Sequence, residues 1–289
     1  MKRRKRLGKR ELNSHTYIVN EDTVPYLTFK SLEDIEWLGC GFSTRIGGVS
    51  KGCCATMNMS FARGDDPEAV HENIRRFGKS AGFLPEEIVM PHQCHTTNVR
   101  TVTKADCGCG VFKPGCEDEI DGQITDESRV VLYCLGADCV PVFLVDVKRK
   151  AIAAVHAGWK GTLNDIVSSA LDKMKQAYGT EPEDIKAVIG PSICGDCYEV
   201  SSDVALPFID KYRTDGSSIE TIVRSVPEKE DKYLLNLWEA NRINLMNAGV
   251  SDENIEISGY CTRCHPDMLF SHRYHGAERG VNIGFIYKK

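Results

Sequence analysis

At 289 residues the chain lies near the upper limit for one hydrophobic core, and 42% hydrophobic with 27% charged residues is a globular balance. A net charge of -5 argues against nucleic acid as a main partner, and no apolar run nears the ~20 residues that span a bilayer, so a soluble, non-membrane protein is expected. Thirteen cysteines without a secretory signal read as reduced thiols of a cytoplasmic protein rather than as a disulfide framework.

Residues 1–14 begin MKRRKRLGKR and are expected to be a basic flexible tail, with one compact domain over 15–289. The segment FSTRIGGVSKG at 42–52 is a Gly-rich polar turn; Ser43 and Arg45 could contact a phosphate or a sugar, or the segment is a structural hairpin. Asp66 and Pro67 give a cap and a first turn, and Val70, Ile74 and Phe77 form the apolar face of the helix that follows. Val130–Leu135, Val142–Asp146 and Ala151–His156 are apolar runs of strand length. Gly158 and Gly161 then break the chain. A helix is expected from Thr162 as N-cap to Gly179, with Leu163, Ile166, Val167, Ala170, Leu171 and Met174 as its buried stripe. Lys186–Ile189 reads as a strand. Asn236, with Glu239 three residues on, caps a helix that ends near Gly249. Strands and helices intermingle, so the class is mixed α and β.

The chemistry concentrates in the middle of the chain. His156 is a polar residue at the end of an apolar strand, and Cys139 lies 17 residues before it in LGADCVPVFLVD. That spacing suits a strand, a turn and a returning strand, so thiolate and imidazole can meet. Cys139 is then either a nucleophile activated by His156 or, with it, a ligand of a borderline-soft metal such as zinc. His95, in MPHQCHTTNV, is the best third ligand. Three protein ligands leave a fourth position open, which is the arrangement of a catalytic zinc. The Gly158–Thr162 turn runs into a helix, and with Lys160 it could hold an anion, although the P-loop spacing is missing. Cys194-x-x-Cys197 and Cys261-x-x-Cys264 are either buried thiols or a closed four-thiolate site for a second, structural zinc.

Taken together, GFSTRIGGVSKG, GDDPEAVHEN, QCH, DGQITD, ADCVPVFLVD, IAAVHAGWKGT, IGPSICGDCYEV, LWEANRINLMNAGV and FSHR resemble the laccase-domain family over nearly the whole chain beyond about residue 37. These proteins, of the YfiH type, were once called multicopper polyphenol oxidases and are now regarded as purine nucleoside phosphorylases. The resemblance implies an α+β fold of one domain, with mixed β-sheets sandwiched between helical layers (α/β/β/α). It implies zinc held by His95, Cys139 and His156. It implies phosphorolysis of adenosine, inosine, guanosine and S-methyl-5'-thioadenosine, together with adenosine deamination. Purine nucleosides and phosphate are then the partners, and the protein a monomer or homodimer. Ser43 and Arg45 become the expected substrate or phosphate contacts; Lys160, from its turn before the helix, and Arg273, the arginine kept from FSYRR, are expected beside them. Apart from the resemblance, Asn58, Phe61, Tyr198 and Phe270 are candidate pocket members, each with a core or turn reading beside it.

Zinc deaminases use a Glu as proton shuttle in H-x-E, which is missing here. Asp138 is the substitute considered, or else it orients a histidine. Departures from the family pattern are Cys94 beside His95, Phe270-Ser271-His272-Arg273-Tyr274 in place of FSYRR, and a cysteine-rich insert at 107–119. Besides a non-enzymatic zinc-binding module built on the two C-x-x-C pairs, two rival readings remain. One is a metal-free Cys139/His156 cysteine hydrolase. The other is a copper polyphenol oxidase, for which eight histidines and no HxH pair are a poor supply, though copper could occupy the zinc site in vitro.

Overall fold

A computed structural model of the chain describes residues 9–115, 119–214, 219–227 and 229–289. Two large sheets carry the architecture. The first has seven strands in the order β1 (Lys9–Glu11), β2 (Thr16–Val19), β3 (Tyr26–Phe29), β4 (Leu38–Ser43), β16 (Asn282–Lys288), β8 (Val131–Gly136) and β5 (Ile88–Val89). The second has six, in the order β15 (Ile255–Ile257), β11 (Ile185–Ile189), β9 (Val140–Asp146), β10 (Ala151–Ala157), β7 (Gly122–Thr125) and β6 (Val99–Thr101). A small third sheet joins β12 (Glu199–Val200), β14 (Tyr233–Leu235) and β13 (Val223–Ser225).

Side-chain alternation along each strand sets the layers. On β8, Val131 and Tyr133 pack with Val70, Ile74 and Phe77 of α1 (Pro67–Ala81), while Leu132 and Cys134 face the second sheet. On β9, Phe143 and Val145 meet that inter-sheet seam, whereas Val142 and Leu144 pack under helices α3 (Ile166–Tyr178), α4 (Ser202–Thr214), α5 (Ile219–Ile222) and α6 (Leu237–Asn247). The order is helix, sheet, sheet, helices, as expected for α/β/β/α. Because both sheets are covered on both faces, β8, β9 and β10 read as continuous apolar runs. No helix of the described residues is long and apolar enough to cross a membrane.

Local signals hold at α1 and α6. Asp66 accepts the Glu68 N–H at 3.0 Å, Pro67 opens α1, and Gly82 ends it with φ +89°. Asn236 accepts the Glu239 N–H at 3.3 Å and caps α6.

Two expectations are corrected. The helix expected from Thr162 starts earlier, as a short α2 (Trp159–Leu163), and α3 begins after a break at Asp165, whose φ is +65°. Thr162 is no cap: it is buried inside α2, its hydroxyl donating to Ala157 O and accepting from Asn241 Nδ2. The basic segment expected as a free tail over 1–14 includes Lys9–Glu11, which pairs antiparallel with β2; residues 1–8 lie outside the described residues. The insert at 107–119 is described except for 116–118.

Candidate metal centre

The site forms where the chain crosses from one large sheet to the other. β8 ends at Gly136 in the first sheet and β9 begins at Val140 in the second, so Ala137, Asp138 and Cys139 form the crossing. β9 and β10 pair with His156 opposite Pro141 and Ala157 opposite Val140, which sets Cys139 beside the turn after β10. His156 shares its strand face with Ile152 and Ala154 and therefore points to the rim of the inter-sheet seam. Gly158 lets the third group in: a Cβ there would lie 2.8 Å from His95 Cδ2 and 3.3 Å from Cys139 Sγ. The segment carrying His95 is held by Gln93, whose side-chain amide accepts the Leu135 N–H at 2.7 Å and donates to Leu135 O at 2.9 Å, as a neighbouring strand would.

One carboxylate joins both histidines. Asp121, 2% exposed, accepts backbone N–H bonds from Cys94 (3.1 Å), His95 (3.0 Å) and Thr96 (2.7 Å), and the Thr96 hydroxyl at 2.9 Å. It also lies 2.7 Å from His156 Nδ1. His95 has φ +64°, and these bonds hold its backbone in that left-handed state. Burial opposes ionisation of Asp121, yet the bonds from His156 and Thr96 keep its pKa at about 2. With Nδ1–H given to Asp121, Nε2 of His156 is left to face Cys139, whose sulfur favours the protonated ring, and on losing its proton it is available as a metal ligand.

The side chains of His95, Cys139 and His156 converge, each offering a donor atom within 4.8 Å of the others. His95 Nε2 is 3.8 Å from Cys139 Sγ, and the two rings stand at 72° with centroids 4.9 Å apart. Zinc with legs of about 2.3 Å to sulfur and 2.0 Å to nitrogen, at a tetrahedral angle, needs S and N about 3.5 Å apart. Burial raises the Cys139 thiol, but His156 and His95 outweigh it and draw the pKa down. A thiolate and two imidazoles, one oriented by a carboxylate, fit a borderline-soft divalent ion in donor type, spacing and charge.

Two cavities, of about 350 and 320 Å³, meet at this cluster, and Arg63, His95, Ala137, Cys139 and Arg279 line both. The first adds Trp159, Tyr198, Leu237 and Arg273. A cavity of about 530 Å³ beside β3 and β4 holds none of these groups.

The expected residues divide. Tyr198 and Arg273 line the first cavity and Phe61 the second. The Arg273 guanidinium lies 5.2 Å from the Tyr198 ring and donates to Glu199 O at 2.6 Å. Asp138 reaches the first cavity at φ +99°, but its carboxylate is occupied: it accepts from the Thr262 hydroxyl at 2.6 Å and the Arg273 N–H at 2.7 Å. It orients no histidine; Asp121 does. Ser43 is fully buried, its hydroxyl accepting the Ile283 N–H at 2.9 Å. Arg45 donates to Ala55 O, Pro266 O and His275 Nε2 and stacks 4.7 Å from Phe270, so it ties loops together away from both cavities. Asn58 and Phe270 are fully buried and line neither. Lys160 is exposed, its Nζ 5.6 Å from the Trp159 ring.

Arg63 and Arg279 were missed by the sequence reading. Arg279 is 7% exposed, and its Nε has no hydrogen-bond partner. Burial and the neighbouring charge of Arg63 both press its pKa down. Arg63 is exposed but lines the same two cavities, so the pair presents positive charge to an anion entering there.

Comparison with known proteins adds four findings. The multi-copper polyphenol oxidoreductase laccase model matches residues 39–289. A purine nucleoside phosphorylase of Bacteroides thetaiotaomicron is 35% identical over 256 residues, covering 88% of this chain and 93% of that protein. Adenosine deaminase RL5, from an unknown prokaryotic organism, is 31% identical over 262 residues, covering 90% and 96%. The crystal structure of YlmD from Geobacillus stearothermophilus aligns with a TM-score of 0.83 at 30% identity, over 97% of this chain and 98% of that one.

Proposed function

This chain belongs to the multi-copper polyphenol oxidoreductase laccase family, and from that premise we propose that it is a zinc-dependent purine nucleoside phosphorylase that also deaminates adenosine. The observation that carries this reading is the convergence of His95, Cys139 and His156 on one point that opens on two cavities. Zinc held by those three groups would supply Lewis acidity and, at its open position, a water of lowered pKa.

The chain's own residues divide the remaining tasks. Arg63 and Arg279 hold the phosphate, whose charge relieves their mutual repulsion. Trp159, Tyr198 and Leu237 form the apolar and aromatic wall of the purine site, and Arg273 completes it. Phosphate and base must lie on opposite sides of the ribose during the exchange, and two cavities meeting at one cluster meet that demand by positioning. Asp121 fixes the tautomer of His156 and the backbone of His95. Asp138 holds the backbone of Arg273 in place, and with both oxygens engaged it is a positioning residue in this reading. The single domain, which takes in β1 at Lys9–Glu11, is the catalytic unit.

A cysteine hydrolase is the second reading, favoured by the Asp121–His156–Cys139 chain, which resembles a carboxylate, base and nucleophile in line. It gives His95 no task, although three elements bring that ring to the sulfur. Copper oxidase chemistry of the multinuclear kind needs far more imidazoles than this cluster offers. The two ligand groups among the described residues contain two histidines in all.

The test is product analysis of adenosine with metal-replete protein. Adenine and ribose 1-phosphate in the presence of phosphate establish phosphorolysis, and inosine without phosphate establishes deamination. Neither product, or full activity on an amide after chelation, overturns the proposal.

A further inference from the structure

A second group of ligand-bearing side chains lies outside the site just described. β11 and β15 are parallel neighbours, with Ala187, Val188 and Ile189 opposite Ile255, Glu256 and Ile257. Both strands end in loops that continue side by side: Ser192 donates its N–H to Tyr260 O and accepts that of Thr262. Each loop then carries a C-x-x-C pair. The registration is even, since Cys194 faces Cys261 and Cys197 faces Cys264, both 67 residues apart.

The four sulfurs lie within 4.8 Å of one another, and Cys197 Sγ is 3.4 Å from Cys264 Sγ. All four are free thiols. Four thiolates at about 2.3 Å from zinc sit at tetrahedral corners about 3.8 Å apart, so the cluster already has the size of a Cys₄ site. Donors are also in place for the negative charge that such a site concentrates. The Cys194 N–H points at Cys261 Sγ at 3.3 Å, and Arg263 Nη1 donates to Cys197 Sγ at 3.4 Å. Buried thiols packed as small apolar groups need neither the paired spacing nor these donors.

We propose that Cys194, Cys197, Cys261 and Cys264 hold a structural zinc ion, separate from the ion at His95, Cys139 and His156. Four protein ligands close the coordination sphere, so this ion takes no substrate. Its task is to clamp the two loops that build the wall of the first cavity. Ile193 and Tyr198 flank the first pair and line that cavity. Thr262, between the cysteines of the second pair, holds the carboxylate of Asp138. The clamp therefore fixes the aromatic wall and the Asp138 crossing from outside. It stands independently of the activity assigned to the other centre.

Elemental analysis of the full chain, saturated with zinc and then desalted, tests this. The wild-type chain should hold two zinc ions, His95→Ala one, and the Cys197→Ser/Cys264→Ser double variant one with a lowered Tm. Cobalt loading of His95→Ala gives a reading that needs no cysteine variant: one ion with the intense thiolate-to-cobalt charge-transfer bands of four sulfurs. One zinc in the wild-type chain and none in His95→Ala would overturn the clamp while leaving the other centre intact. Two zincs retained by His95→Ala would instead refute that histidine as a ligand and leave the clamp standing.

Discussion

At the scale of single residues, what the sequence disclosed depended on whether a side chain was out of place in its own segment. His156 ends an apolar strand, and Cys139 stands 17 residues before it, so both drew attention without the fold. Asp121 did not, because an acidic residue beside a glycine reads as an ordinary turn. Its role appears only when three N–H groups and one imidazole are seen to converge on it. Asp121→Asn removes the charge that fixes His156 and His95, and the loss of such a partner costs about 10–100-fold in metal affinity. Competition with a chelator of known affinity should show that drop; unchanged affinity would mean that the carboxylate is only a loop tie. Arg63 and Arg279 were hidden for another reason: they lie 216 positions apart, and each alone is an unremarkable surface-type residue. Arg279→Met should keep or raise Tm, because it removes an incompletely paired buried cation. It should also raise KM for phosphate at least ~10-fold, since a charge-assisted hydrogen bond contributes about 1.5–3 kcal/mol. A fall in Tm with KM unchanged would assign this arginine to folding alone.

At the scale of elements, helices with a cap and an apolar stripe were legible, and breaks were less so. α1 follows its cap, its stripe and its glycine stop. Phe77 of that stripe is fully buried, with ring centroids 5.4 Å from Phe285 and 6.0 Å from Tyr26. Phe77→Ala leaves a hole in the layer between α1 and the first sheet, and should destabilise the protein by about 3–5 kcal/mol in denaturant titration. A loss below 1 kcal/mol would show that α1 is not held by that layer. The region after β10 differs from its expectation because its two glycines do not both break the chain. Gly158 is small to admit His95, and Gly161 lies inside α2. The actual break is at Asp165, a residue with no breaking signal of its own beyond the tolerance of Asp for left-handed backbone.

At the scale of the whole molecule, strands were legible but their partners were not. An apolar run states that both of its faces are covered and leaves open which sheet it joins. β8 and β9 are close in sequence yet belong to different sheets, and that separation makes Cys139 a crossing residue at the rim of the seam. The rim is where β8, the turn after β10 and the Gln93–Thr96 segment meet, so the candidate metal centre is a product of the two-sheet architecture. Anomalous diffraction at the zinc edge from crystals of the zinc-saturated protein tests this most directly. The account predicts a peak bonded to His95 Nε2, Cys139 Sγ and His156 Nε2, with one further position turned to the cavities. Zinc-saturated crystals with no peak among those three atoms would contradict it.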